Sequence, residues 1–225
     1  MPALPVALPA APAITRRDQI LDAAMGCFAS AGFRGTTTRE IAGRVGITEA
    51  ALYRHFASKE ALYTAIIERK MDGPEPEAAL AEAAARGDDA GVFGGLARRL
   101  IERIDADPAF VRILLFTALE GHSLAEPFFA SRVLRLREFL TEYIARRIRE
   151  GAFRAVDPML AARAFLGTVV DYGNARVVFR QQAVYAYSTD EVVETFVSLF
   201  LRGIETAAAP ARSPAPAPPP LGDSR

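Results

Sequence analysis

In the run TTTREIAGRVGITEAALYRHFASKEAL (residues 36–62), polar side chains gather at the starts of short helical patterns. Thr37, Thr48 and Lys59 stand at helix N-termini, where unpaired N–H groups and the helix dipole favour an anion. Tyr53 and His55 follow the second of these starts, placed to reach flanking phosphates. Arg39, in a first helical turn, is long enough to grip a guanine edge or to settle on a phosphate. Glu49, Ala50 and Ala51 form an outer turn with no bulky side chain. Backbone can therefore approach base edges there, and an alanine methyl can meet a thymine methyl. The chemistry that suits this set is recognition of duplex DNA.

Such residues need a rigid frame. Thr37-x-x-Glu40 reads as a capping box opening a helix whose Ile41, Ala42 and Val45 face inward. Gly46 ends that helix, Ile47 anchors the turn, and Thr48 caps a second helix of barely two turns whose Leu52 and Phe56 return to the same core. Upstream, Thr15 caps a helix with Ile20, Leu21, Ala24, Cys27 and Phe28 as its buried stripe, and Gly32 as its stop. Ser58 opens a fourth helix to about Met71. Two helices joined through a tight turn, the second too short to bury much surface for itself, form a helix-turn-helix pattern.

The stretch TTTREIAGRVGITEAALYRHFASKEALYTAI resembles the TetR family of bacterial transcriptional regulators. The likeness rests on Phe33-Arg34-Gly35-Thr36-Thr37, on Leu52-Tyr53-Arg54-His55-Phe56 and on Lys59-Glu60, and spans about 55 residues. Beyond residue 70 it is architectural, as in Gly151-Ala-Phe-Arg followed by Asp157-Pro158. The resemblance implies a homodimer that binds a palindromic double-stranded DNA operator and releases it when a small molecule enters the C-terminal bundle. That makes the chain a ligand-responsive regulator, a repressor by expectation.

Composition agrees and narrows the field. The 225 residues are 51% hydrophobic, enough for a core, with zero formal net charge. Residues 15–70 carry nine Lys/Arg against six Asp/Glu, whereas residues 71–150 carry eleven against fourteen. The positive excess lies on the segment with the short helix, which fits an anionic partner there. A sequence-nonspecific architectural DNA binder fits poorly with a neutral chain. A single cysteine allows no internal disulfide, and two histidines with no Cys/His cluster point to no metal site and no catalytic nucleophile–base pair. No apolar run reaches membrane-spanning length, and the Ala/Pro-rich start has no basic n-region. The expectation is a cytoplasmic protein without a cofactor, not an enzyme.

Apolar residues recur at helical spacing along the chain, so the fold class expected is all-α, with about nine helices. The boundaries read as a tail at 1–13, a helix-turn-helix domain at 14–71, an effector-binding and dimerisation domain at 72–207, and an Ala/Pro-rich tail at 208–225. Gly73-Pro74 breaks the pattern between the domains, and a Glu/Ala-rich connector follows. The later helices fall at about 89–105, 108–121, 125–150, 158–182 and 189–207. Asp107-Pro108 and Asp157-Pro158 each set a cap before a proline at the first helical position, and Ser188-x-x-Glu191 is a capping box.

Two functional expectations attach to this second domain. Arg112, Phe116 and Glu120 form one stripe of an apolar helix, and Asp171 and Asn174 lie on a stripe of another. Either they line an apolar cavity and orient a largely hydrophobic effector, or Arg112 pairs with Asp171 or Glu120 while Asn174 bonds across a dimer seam. Phe196 and Phe200, on a last helix that is apolar round most of its circumference, are expected at the dimer interface. His122 with Glu120 and Glu126 reads as a cap or surface pair rather than a metal site. The competing reading is a helical small-molecule-binding protein or enzyme whose N-terminal unit is only structural.

Overall fold

The computed structural model describes residues 15–72 and 77–206. The expected tails and the Gly73-Pro74 break lie outside that range. Among the described residues the regular structure is helical, with one isolated bridge between Phe153 and Glu205.

The N-terminal helices are α1 (Arg16–Gly35), α2 (Thr38–Val45), α3 (Glu49–Tyr53) and α4 (Lys59–Met71). Local chemistry sets their starts. Thr15 and Asp18 cap α1 reciprocally, while Thr37, Thr48 and Ser58 each accept an N–H three residues on. At Thr37 the expected box is only half made. Glu40 turns instead to Arg44, 3.2 Å away and one turn along the same helix. Gly46, at φ 72°, lets the chain reverse, and the Ile47 N–H closes onto the Ala42 carbonyl at 3.0 Å. The expected stop at Gly32 is a break rather than an end. The backbone there takes φ 72° and ψ −178°, and one more turn follows. That region is open essentially to glycine alone.

The connector supplies a 3-10 turn (Ala78–Leu80) and α5 (Ala81–Arg86). Then come α6 (Asp89–Ala106), α7 (Pro108–Glu120), α8 (Glu126–Phe128), a π-helical stretch (Phe129–Leu134), α9 (Arg135–Arg149), α10 (Pro158–Val177) and α11 (Thr189–Ile204). The single helix expected over 125–150 is thus divided by the wider π turn. The helix expected to reach 182 ends at Val177, where the chain leaves through Arg180 at φ 55°. No glycine or proline announces that exit. No described helix is long and apolar enough to cross a membrane.

Two cores result. Phe93, fully buried, lies 4.9 Å from both Phe165 and Phe200 and 6.0 Å from Tyr143, an aromatic centre joining α6, α9, α10 and α11. Beside it Arg147 grips both carboxylate oxygens of Asp89 at 2.9 Å, and the Tyr143 hydroxyl donates to the same carboxylate at 2.6 Å. Burial and that bond push the Tyr143 phenol well above its ordinary range. The second core holds the inward residues of α1 to α4. It also takes in Phe110, Ile113, Ala125 and Phe128, from α7 to α8. The packing boundary therefore does not follow the chain boundary near residue 72: α7 belongs largely to the N-terminal core.

Candidate nucleic-acid interface

The outer face of α2 and α3 is open. Arg39, Ala50 and His55 are exposed, Ala51 is half-buried, and Tyr53 is 46% exposed. Arg39 has no ion pair or side-chain hydrogen bond among the described residues, so its guanidinium is free to engage a partner. The Thr37 and Thr48 hydroxyls accept the Glu40 and Ala51 N–H groups, both at 3.1 Å. Each keeps its own O–H to donate outward. Beside α3 lies a concavity of about 460 Å³ lined by residues that include Arg34, Thr37, Thr38, Tyr53, Ser58 and Lys59.

Two expected contact residues are already engaged. The Lys59 ammonium donates to the carbonyls of Phe33 at 2.8 Å and Thr36 at 2.9 Å, and sits 4.3 Å over the Phe33 ring. These carbonyls at the end of α1 are open acceptors close at hand, so two of the three ammonium protons are spent before any phosphate arrives. Lys59 is first a tether. The Glu49 carboxylate accepts the Thr38 hydroxyl, which also lies 3.3 Å from the Tyr53 hydroxyl. Thr38 thus ties α3 to α2, and Glu49 turns back into the motif rather than standing free in the reading turn. Thr38 and Arg34 received no role of their own in the sequence reading. Their only signal was position, beside the Gly35-Thr36-Thr37 entry to α2.

The five residues expected to line an effector cavity are not brought together. Glu120 and Phe116 face the break in α1: a β-carbon on Gly32 would lie 2.3 Å from a Glu120 carboxylate oxygen and 2.9 Å from the Phe116 ring. Arg112 is half-buried and makes no ion pair among the described residues, so the pairing with Asp171 or Glu120 is not made either. Asp171 is exposed and Asn174 half-buried on the outer side of α10. The reason lies in α7, whose buried residues Phe110, Ile113 and Thr117 turn to the N-terminal core rather than to the bundle. The two residues expected at a dimer seam, both half-buried, also pack within their own chain. Phe200 stacks into its own core, 5.0 Å from Phe165, and Phe196 packs 5.6 Å from Tyr172. The more exposed apolar positions of α10 and α11 are Met159 at 57%, Leu160 at 68%, Val170 at 38% and Leu199 at 69%. His122 stands 3.3 Å from Glu120, but the pair is largely enclosed, with side chains 16% and 14% exposed, rather than at the surface. Among the described residues no His, Cys, Asp and Glu side chains cluster as metal ligands would.

This small outer turn, flanked by hydroxyl donors and a free arginine on a rigid helix pair, is that of a helix-turn-helix DNA-binding protein. Residues 20–66 match the family model of bacterial regulatory proteins, tetR family, and residues 97–203 match that of the AefR-like transcriptional repressor C-terminal domain. The HTH-type transcriptional repressor KstR2 of Rhodococcus jostii is 30% identical over 199 residues, covering 84% of this chain and 91% of that protein. The ketosteroid transcriptional regulator KstR2 of Mycobacterium tuberculosis superposes with a TM-score of 0.59 at 23% identity, covering 85% of this chain and 96% of that one. AibR, solved with isovaleryl coenzyme A and operator DNA, gives 0.56 at 22% identity, covering 82% and 97%. The chain belongs to the TetR family and is a DNA-binding transcriptional regulator.

Proposed function

We propose that the chain acts in the cytoplasm as a homodimeric repressor. It holds a palindromic operator and lets it go when a small, largely hydrophobic effector enters the C-terminal bundle. The observation that carries the reading is the outer turn of α3, where Ala50 and Ala51 leave the backbone free to approach base edges beside the free Arg39. Thr37, Thr48 and Tyr53 supply neutral donors for phosphates, His55 stands exposed at the end of α3, and the third Lys59 proton remains available. Contacts of this kind fix register, while Arg39 and the alanines read sequence.

Leu160, Val170 and Leu199, with Asp171 and Asn174, form the face of α10 and α11 turned away from their own core. A second copy of this chain is the occupant that suits it, because a closed twofold covers the same apolar patch on both chains. Asn174 then bonds across the seam. A hydrophobic effector fits the ketosteroid regulator among the similar structures, whereas of the isovaleryl coenzyme A held by AibR only the acyl end is apolar. Within this chain the polar handle offered is Tyr172. Its hydroxyl is buried without a hydrogen-bond partner among the described residues, and its ring lies 5.7 Å from Tyr185 and 5.6 Å from Phe196. A buried hydroxyl of this kind calls for a partner.

The experiment is a binding-site selection from a random duplex pool, followed by titration of the recovered duplex. The expected product is a palindrome whose half-sites lie about one helical turn, ~34–36 Å, apart. The Leu199→Glu variant is expected to sediment as a monomer and to lose that binding. A pool that shows no enrichment rules out the DNA reading. A dimer that survives Leu199→Glu moves the interface elsewhere.

A further inference from the structure

The break at Gly32 leaves a local problem. After the positive φ at Gly32, the N–H groups of Phe33 and Arg34 reach an acceptor outside the helix. The Glu120 carboxylate, at the far end of α7, accepts both, from Phe33 at 3.0 Å and from Arg34 at 3.1 Å. In return the Arg34 guanidinium donates to the Glu120 carbonyl at 3.0 Å, at the negative end of the α7 dipole. Two aromatic rings close the joint: Phe33 and Tyr63 meet the His122 imidazole edge-on at 5.2 and 5.3 Å. The Tyr63 hydroxyl bonds Thr117 on α7 at 2.5 Å.

The segment held in this way leads straight into the reading motif. Thr36 bonds back to the Gly32 carbonyl at 2.7 Å, Lys59 clasps the Phe33 and Thr36 carbonyls, and Thr37 then caps α2. From Gly32 to Thr37 the chain is thus fixed at one end by α7 and at the other by α4. Gly32 must lack a β-carbon for two separate reasons: its positive φ, and the carboxylate lying where that carbon would be.

We propose that Glu120 is a positioning residue for operator recognition. It touches no DNA, but sets the pose of α2 and α3 by clamping their entry segment to α7, and so carries any displacement of α7 to the reading head. The inference rests on the DNA-binding reading above. It assigns to Glu120 a role that a ligand-lining residue would not have.

The test compares Glu120→Ala, Glu120→Asp and Glu120→Gln in the full chain, using the duplex recovered by the wild type and counting only folded protein. The glutamine variant keeps the reach but only one acceptor oxygen, its NH2 facing the second amide, so it keeps one of the two bonds and should bind more weakly than wild type yet better than alanine. The aspartate is one methylene too short to meet both amides, and the alanine meets neither. Aspartate should weaken binding clearly and alanine at least tenfold, with the selected motif unchanged. Amide exchange at Phe33 and Arg34 should quicken in the same order, whereas Leu119→Ala, one residue away and exposed, should change neither readout. If the alanine does not fold, the aspartate and glutamine variants measured against wild type decide by themselves. Wild-type affinity in both of them, or a loss of affinity with amide exchange at Phe33 and Arg34 unchanged, overturns the positioning role. If the wild type itself recovers no duplex, the DNA reading has failed and takes this inference with it. Failure confined to the variants leaves that reading standing.

Discussion

The reading head and the C-terminal bundle are stabilised by different means. In the head, polar side chains are spent on backbone: Thr37, Thr48 and Ser58 on N–H groups, Lys59 on carbonyls, and Glu120 on the amides of the α1 break. In the bundle, aromatic rings from four helices meet around Phe93, and the strongest polar contact is the side-chain pair of Arg147 with Asp89. The contrast follows from what each part must do. A surface offered to DNA has to hold its shape while leaving its outer donors free, so its order comes from caps and tethers behind the face. The bundle has no such face at its centre and can fill it with rings.

Substitutions that strike one region should spare the readout of the other, and the largest effect belongs to the bundle. Phe93→Ala removes a fully buried ring with four aromatic neighbours, and should cost about 3–5 kcal/mol of stability in chemical denaturation. Operator affinity of the protein that remains folded should change little. If affinity falls while stability holds, the bundle centre is coupled to the head more tightly than its packing implies.

Arg39→Ala should do the opposite. The side chain is exposed and unpaired among the described residues, so stability should stay within about 0.5 kcal/mol. If the guanidinium grips a guanine, preference at one base pair should relax by about 1–3 kcal/mol, read by repeating the selection. An unchanged motif makes Arg39 a backbone contact. Tyr53→Phe provides the control, since losing a phosphate donor weakens all sequences alike.

The smallest effect tests a device that both regions share. Hydrogen bonds from Thr15 hold the Asp18 carboxyl below its ordinary range, and those from Ser188 do the same for Glu191. A carboxyl with a lowered folded value contributes stability in full above its unfolded value, and loses it as pH falls through the folded one. Melting temperature should therefore fall slightly on acidification below the ordinary carboxylate range. Asp18→Asn and Glu191→Gln should each remove part of that slope. Equal contributions would show that capping is worth the same at the head and in the bundle.

These capping signals explain which parts of the molecule were legible. Thr15, Thr37, Thr48 and Ser58 lie within three residues of the amides they bind, so their roles follow from sequence order. So does the turn at Gly46, and so do the proline-marked starts of α7 and α10. The family resemblance rests on this same local grammar. Misreadings arose where the partner was distant. Glu120 and Phe33 are 87 positions apart, and no periodicity on α7 tells whether its stripe faces the bundle or α1. The packing of Phe200 against Phe93 and Phe165 was not legible either, because an apolar helix shows how much of its surface is covered, not by what.

The sequence alone thus determined the helical class, the starts of most helices and the helix-turn-helix with its open outer turn on α3, since each depends on contacts a few residues long. Only the tertiary structure decided that α7 joins the N-terminal core, that Glu120 closes the break at Gly32, and that Lys59 is a tether. Those outcomes depend on which surfaces meet when helices far apart in the chain pack together. An amphipathic pattern marks a face to be buried, and only the folded chain supplies what buries it.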